Sequence, residues 1–245
     1  MFTRAKPDPV QHARRFWKAV DVEPREGGFA VRLDGRGART PGGNPLVLPT
    51  RALADLVGEE WAAQGEHVLP ATMPATRLAA TALDRTPAVR EETADELARY
   101  AASDTLCYFA EAPEALAERE RAAWEPVLKW AEGELGLAFT RCAGIVHQPQ
   151  PPETPARVRA LALELDDFAL TAIAWGAALY GSAVLALAVQ RGRLSGEAAF
   201  DLSRLDEAFQ EEHWGVDEEA ADRTAARRTD AITLGRWFAA LSQAR

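Results

Sequence analysis

One uncharged segment constrains the fold of this chain more than any other part of its sequence. Residues 168–189, FALTAIAWGAALYGSAVLALAV, contain no Asp, Glu, Lys, Arg or His. A helix of about this length can span a bilayer, whereas in a globular domain other elements must cover it on every side. Its alanines, together with Gly176, Gly181 and Ser182, weaken membrane insertion and let neighbouring helices approach closely. We therefore predict a central buried helix over 166–190, with a single membrane span as the alternative.

The first fifty residues have a different pattern, in which short β-prone pieces alternate with turn residues. Phe29, Val31 and Leu33 alternate with other residues and lead directly into Asp34-Gly35. Glycine adopts the positive φ that a two-residue hairpin turn requires, so this pair predicts a tight turn between two strands. The N-terminal region is therefore expected to be a small antiparallel β unit.

From Thr50 onward the apolar residues follow a helical period. Leu53, Val57 and Trp61 recur behind Thr50, a predicted helix cap, and this spacing favours a core position for Trp61. Further helices are predicted at about 75–85, 88–109, 113–135, 153–163, 166–190, 195–214 and 217–242. The predicted fold class is α+β, with a β-containing N-terminal domain at 1–72 and a mainly α-helical domain at 73–245. The N-terminal domain either recruits 137–148 as an added strand or stands alone.

Charge and motifs exclude several classes of function. The net charge is −9 and the pI is near 5.1, and no cluster of Lys and Arg offers a surface to nucleic acid. The sequence contains no phosphate-binding loop and no nucleophile elbow. Cys107 and Cys142 are too far apart for a CxxC motif and are expected to be thiols. The N-terminus shows no apolar leader, so no secretory signal is expected.

The sequence gives no support to a metal site. Its four histidines, His12, His67, His147 and His213, form neither HxH nor HxxxH. Gln210 stands three residues before His213, where a metal-binding helix would place a carboxylate. We predict no metal, no cofactor and no catalytic residue. A small-molecule enzyme that uses carboxylates at the domain junction is the alternative to a binding protein.

The clearest candidate binding surface lies in residues 204–215, RLDEAFQEEHWG. At about 100° per residue, Leu205 and Phe209 share a face that is expected to meet the core. Glu207, Glu211 and Trp214 cluster on the opposite face, where an indole and two carboxylates would suit a basic polypeptide partner. In the alternative, Glu207 pairs with Arg204 as a solvated charge, and Trp214 folds back over the end of the helix.

The order of several motifs along residues 14–215 resembles one protein family. These motifs are LDGR, PLxLPT, EWxAQGE, YAxxDxLCY and FQxExWG. In combination they resemble the ATP synthase F(1) assembly chaperones that handle the α subunit. The resemblance implies a non-enzymatic chaperone with a β-containing N-terminal domain and a helical C-terminal domain. Such a protein binds newly made α subunit before the α/β ring closes, without cofactor and without ATP hydrolysis.

The same resemblance extends the expected partner-binding residues. Motif position adds Glu212 and His213 to Glu207, Glu211 and Trp214. The family has mitochondrial and bacterial members, and the absence of a transit-peptide pattern favours a bacterial protein of the cytoplasm. We further expect a monomer that binds no nucleic acid and does not insert stably into a membrane.

Overall fold

An antiparallel sheet followed by a helical region makes up residues 13–215 and 218–243, the part of the chain that the computed structural model describes. The strands are β1 (Val20–Arg25), β2 (Gly28–Leu33), β3 (Arg36–Gly37), β4 (Val47–Leu48), β5 (Tyr108–Phe109) and β6 (Cys142–Ala143). The helices are α1 (Arg51–Ala62), α2 (Pro74–Asp84), α3 (Arg90–Ala102), α4 (Glu114–Leu135), α5 (Glu153–Leu163), α6 (Asp167–Tyr180), α7 (Ala183–Gln190), α8 (Gly196–Ser203), α9 (Leu205–Trp214) and α10 (Glu218–Leu241). The predicted α+β class is confirmed.

The N-terminal sheet is built around the predicted tight turn. β2 pairs with β1, β3 and β4, in each case antiparallel. Asp34 and Gly35 join β2 to β3, and both have positive φ, 48° and 76°. The Asp34 carboxylate accepts the N–H groups of Lys18 and Ala19 at 2.9 and 2.8 Å, which lowers its pKa. The carboxylate thereby fixes the segment that leads into β1.

Helix α1 lies against the sheet and connects it to the end of the chain. Thr50 caps α1 by accepting the N–H of Leu53 at 3.1 Å, and its hydroxyl donates to the carbonyl of Ala240 at 2.9 Å. Trp61 is partly buried and packs on Trp17, with ring centroids 5.0 Å apart. Buried side chains of both regions belong to one continuous hydrophobic cluster. The division into domains at residue 72 therefore stays a prediction.

Two carboxylates, those of Glu60 and Asp84, fasten α2 to its surroundings. Glu60 accepts the N–H groups of Ala75 and Thr76, both at 2.7 Å, at the start of α2. Burial raises the pKa of Glu60, and these hydrogen bonds oppose the rise. Asp84, at the other end of α2, accepts the hydroxyl of Thr40 at 2.5 Å, and the pKa of Asp84 is lowered as a result. These acids hold the fold together rather than forming a catalytic pair.

The uncharged segment 168–189 lies inside the helical region, but as two helices. Gly181 has φ 67° and ends α6, and the Ser182 hydroxyl accepts the N–H of Leu185 at 3.0 Å to begin α7. Helix α10 packs so closely on α6 that a Cβ added to Gly176 would lie 2.8 Å from Leu234. The prediction of one continuous helix is therefore wrong, although the segment is buried. Within the described ranges, no helix combines the length and the hydropathy that a bilayer span needs.

The helix predicted over 88–109 ends earlier, at Ala102. Asp104 is fully buried, and its carboxylate accepts the N–H of Leu106 at 3.2 Å and that of Val184 at 3.0 Å. These bonds start a short 3₁₀ turn and join it to the beginning of α7. The chain then continues into β5 instead of remaining helical.

The strand expected within 137–148 is short, and it pairs away from the N-terminal sheet. β6 covers Cys142 and Ala143 and lies parallel to β5. Cys107 and Cys142 are free thiols, and the Cys142 Sγ donates to the carbonyl of Cys107 at 3.4 Å. The chain leaving β6 places the apolar side chain of Ile145 in solvent.

Candidate functional site

The predicted helix 195–214 is broken at Arg204 into α8 and α9. The indole N–H of Trp124 on α4 donates to the carbonyl of Leu202 at 2.9 Å. In a continuous helix that carbonyl would accept the backbone N–H four residues later. The Arg204 N–H bonds instead to the carbonyl of Asp201 at 3.3 Å, and a new helix begins at Leu205. The prediction of one helix over 195–214 is therefore wrong, although Leu205 and Phe209 do meet the core, as predicted. Helix α9 is a separate short element whose orientation is set by its contact with α4.

Two of the five predicted partner-binding residues are held in ion pairs. Glu211 accepts a hydrogen bond from Arg204 at 2.7 Å, and both carboxylate oxygens of Glu212 lie 2.9 Å from one guanidinium nitrogen of Arg119 on α4. Glu211 lines a separate depression between α4, α8 and α9, which also contains Arg193. Glu207 and Glu211 lie one turn apart on α9, as predicted, but they line two different depressions.

The other three predicted residues, Glu207, His213 and Trp214, lie together along a groove of about 1100 Å³. We call this the α9 groove. Its sides are α9, the first half of α4, the segment 103–113 that contains β5, and the turn that follows β6. Three separate stretches of the chain, within 103–124, 144–145 and 203–214, thus meet around it.

Apolar side chains form much of the α9 groove. Those with large apolar groups are Phe109, Leu116, Trp124, Ile145, Phe209 and Trp214. Ile145 is 97% exposed and Trp214 is 80% exposed, although both are large apolar residues. Exposed apolar side chains clustered beside a groove are typical of a surface that another molecule covers.

The charge of the α9 groove has a single sign. Glu111, Glu120, Asp206 and Glu207 line it, and no Lys or Arg occurs among the described residues that do so. The predicted solvated pair of Glu207 with Arg204 is not formed, because Arg204 pairs with Glu211. The groove therefore favours a partner that carries basic groups.

Glu120 is the most buried of these acids, with 1% of its surface exposed. One of its carboxylate oxygens accepts the N–H of Ala110 at 2.6 Å. Burial raises the pKa of Glu120, the hydrogen bond from Ala110 opposes the rise, and the negative charge of Asp206 adds to it. Asp206 lines the same groove from the first turn of α9.

His213 and Trp214 extend the apolar side of the groove. The His213 imidazole lies 4.4 Å from the Phe209 ring, centroid to centroid, and its Nδ1–H donates to the carbonyl of Phe209 at 2.7 Å. Trp214 does not fold back over the core, since most of its surface is in solvent. The indole is thus available to a partner, as the pattern of α9 predicted.

The alternative function, a small-molecule enzyme that uses carboxylates, has less support from the geometry than a binding surface has. Asp104 has its pKa raised to about 6 by burial, but its carboxylate is engaged with backbone N–H groups and does not line the α9 groove. Among residues 13–215 and 218–243, no three His, Cys, Asp or Glu side chains are grouped so that they could hold a metal ion. His12 lies outside the described residues.

Sequence reasoning missed the residues that complete the groove. Glu120, Ile145 and Asp206 were not among the predicted site residues, and they reach the groove from α4, the turn after β6 and α9. One local signal was available for Glu120, since it is an acid on a helical face with the buried Leu116, Ala117 and Trp124. Ile145 carries no such signal, because an apolar residue after a short strand is usually covered.

Comparisons with known proteins agree on one family. A family model described as ATP12 chaperone protein matches residues 14–132. The chain is 28% identical to the mitochondrial protein atp12 of Schizosaccharomyces pombe over 233 residues, which are 88% of this chain and 78% of that protein. The crystal structure of Atp12 from Paracoccus denitrificans is similar with a TM-score of 0.85 and 42% identity, covering 93% of this chain and 97% of that one. The Atu1473 protein of Agrobacterium tumefaciens gives a TM-score of 0.88 and 40% identity, covering 97% and 93%.

Proposed function

The chain belongs to the ATP12 chaperone family, and from that membership we propose that it is an ATP synthase assembly chaperone that binds unassembled F(1) α subunit in the α9 groove. Binding of this kind covers a surface that would otherwise aggregate before assembly. The chaperone acts by mass action, so it stabilises the free subunit and yields to a better interface without hydrolysing ATP.

One observation carries the placement of the partner in the α9 groove. The groove combines exposed apolar side chains, Ile145 and Trp214, with four carboxylates and with no Lys or Arg among its described lining. Apolar contact supplies affinity when an indole or an aliphatic group is desolvated, and the uniform charge selects a basic segment. Glu207 and His213 contribute from α9 beside Trp214.

Glu211 and Glu212 have an indirect role in this proposal. Their ion pairs with Arg204 and Arg119 connect α9 to the preceding turn and to α4. The Arg119–Glu212 pair is exposed and stabilises the fold by at most about 1 kcal/mol, whereas the Arg204–Glu211 pair is partly buried. The two pairs instead fix the direction in which α9 presents Glu207 and Trp214 to the groove.

Affinity isolation of the chaperone co-expressed with its cognate F(1) α and β subunits tests the proposal. Wild-type protein should retain the α subunit, and Glu207→Lys combined with Trp214→Ala should lose most of it. Truncating a central aromatic anchor of an interface commonly costs about 2 kcal/mol or more. Phe16→Ala is the matched control, because Phe16 is 71% exposed and lies outside the groove.

The result depends on which chain is retained. Capture of the α subunit by wild type and by Phe16→Ala, with loss in the double variant, supports both partner and groove. Equal capture by the folded double variant would mean that another surface binds the subunit. If wild type retains no α subunit, the proposed partner is wrong.

A further inference from the structure

We propose that the α9 groove contains a socket for one cationic side chain of the bound polypeptide, formed by the Glu120 carboxylate on α4 and the Asp206 carboxylate on α9. The inference rests on the proposed function and deepens it, because it assigns a chemical group of the partner to two residues. It gives Glu120 a role in recognition that is separate from the role of the exposed acids of α9.

Glu120 is an acid that the fold buries without a direct ion pair to any described residue. Its oxygen Oε2 accepts the N–H of Ala110, and none of the ion pairs formed among the described residues includes Glu120. The neighbouring Arg119 and Arg121 pair with Glu212 and Glu114, although the charge of Arg121 still lowers the pKa of Glu120. A buried carboxylate without a cation is costly, and a cation that arrives with a partner would remove much of that cost.

Asp206 makes the same position more negative. It lines the groove from the first turn of α9, and no ion pair within the described part of the chain uses its carboxylate. Its charge raises the pKa of Glu120 in addition to the effect of burial. A positive group placed between the two acids interacts favourably with both, and a charge-assisted hydrogen bond is about twice as strong as a neutral one.

The walls beside Glu120 suit the side chain of arginine or lysine. Trp124 and Phe109 lie next to one another, with ring centroids 5.6 Å apart, and both line the groove. Aromatic faces attract a guanidinium or ammonium group, and apolar walls accept the methylene stem of these residues. A bare metal ion would find too few ligands, because the described residues hold no cluster of three metal-binding side chains.

Neutral variants of equal size test the socket in the whole protein. The affinity of isolated F(1) α subunit is measured by biolayer interferometry for wild type, Glu120→Gln, Asp206→Asn and Glu118→Gln. Glutamine at 120 keeps an oxygen that can accept the N–H of Ala110, so the fold is retained and thermal unfolding checks it. Glu118 is the matched control, because it is exposed on the same helix and lies outside the groove.

We expect Glu120→Gln to weaken binding by about tenfold or more, as for loss of one partner of a desolvated charge pair. Asp206→Asn should weaken it in the same direction and provides the measurement if Glu120→Gln does not fold. Glu118→Gln should stay within about twofold of wild type, since exposed rim charges contribute little to affinity.

The partner side is identified with peptides. Overlapping peptides of the α subunit are screened for capture by wild type, and each Lys or Arg of a captured peptide is replaced by methionine. The residue that enters the socket is the one whose replacement weakens capture by wild type but has little effect with Glu120→Gln.

Two results separate this inference from the proposed function. If wild type binds the α subunit and both neutral variants bind as tightly, or Glu118→Gln is weakened as much as Glu120→Gln, the socket is wrong while the function stands. If wild type does not bind the α subunit, both are wrong.

Discussion

Replacing Asp104 by asparagine should change how the free energy of unfolding depends on pH. Asp104 is fully buried, and burial raises its pKa from 3.8 to about 6 even though Val184, Ser182 and Leu106 donate hydrogen bonds to it. A carboxyl with a raised pKa in the folded state contributes stability that is fully present below pH 3.8. That contribution is lost as the pH rises through about 6, because folding then requires a buried charge.

The size of the effect follows from the two pKa values. The full shift corresponds to about 3 kcal/mol, since one pKa unit is about 1.4 kcal/mol. Below pH 5 many other carboxyl groups titrate together with Asp104. The range from pH 7 to pH 5 therefore isolates the contribution of Asp104 better. Between pH 7 and pH 5, Asp104 alone should add about 1 kcal/mol to the stability of the wild type, and Asp104→Asn should lack this gain.

Urea unfolding at half-unit steps from pH 5 to pH 7 measures this difference. Other groups titrate in both proteins and cancel in the comparison. The unfolding free energy of wild type minus that of Asp104→Asn should therefore rise as the pH falls from 7 to 5. Glu96→Gln, which removes an exposed carboxylate from α3, should leave the wild-type profile unchanged. A gap that stays constant from pH 5 to pH 7 would refute the reasoning, because Asp104 would then keep one protonation state.

Three further substitutions test packing, capping and exposure, each by chemical denaturation. Glu60→Gln should lower the unfolding free energy by about 2 kcal/mol, because the start of α2 loses its charged acceptor; no change would mean that solvent caps α2 equally well. Gly196→Ala should cost about 3 kcal/mol or more, because its Cβ would lie 1.8 Å from the carbonyl oxygen of Ala231, whereas Gly133→Ala, with nothing within 4 Å, should add up to about 1 kcal/mol. Trp214→Ala should change stability by less than about 0.5 kcal/mol, since the indole is 80% exposed, and a larger loss would assign it to the core.

Local patterns predicted the elements that depend on neighbouring residues. The Asp34-Gly35 turn, the Thr50 cap and α4 were predicted close to their observed bounds because turn geometry, capping and helical periodicity are written within a few positions. The exposure of Trp214 was also predicted correctly. Each of these features requires only the residues within about one or two turns of the chain.

The breaks at Gly181 and Arg204 were missed for different reasons. Gly181 followed by Ser182 is a local stop and start signal, but the uniform hydropathy around it favoured one helix. The break at Arg204 has no such signal, because the Trp124 indole takes the Leu202 carbonyl from another helix. A hydrogen bond between elements distant in sequence leaves no periodic pattern in either one.

The sequence by itself determined the α+β class, the family, and an acidic, aromatic α9, because composition, period and motif order are properties of the chain alone. Tertiary structure decided which acids are paired. Arg204 pairs with Glu211 and Arg119 on α4 pairs with Glu212, whereas Glu207 lines the same groove as the buried Glu120. Carboxylates that are equivalent in sequence differ in burial and in nearby charges, and these quantities exist only after distant segments have packed together.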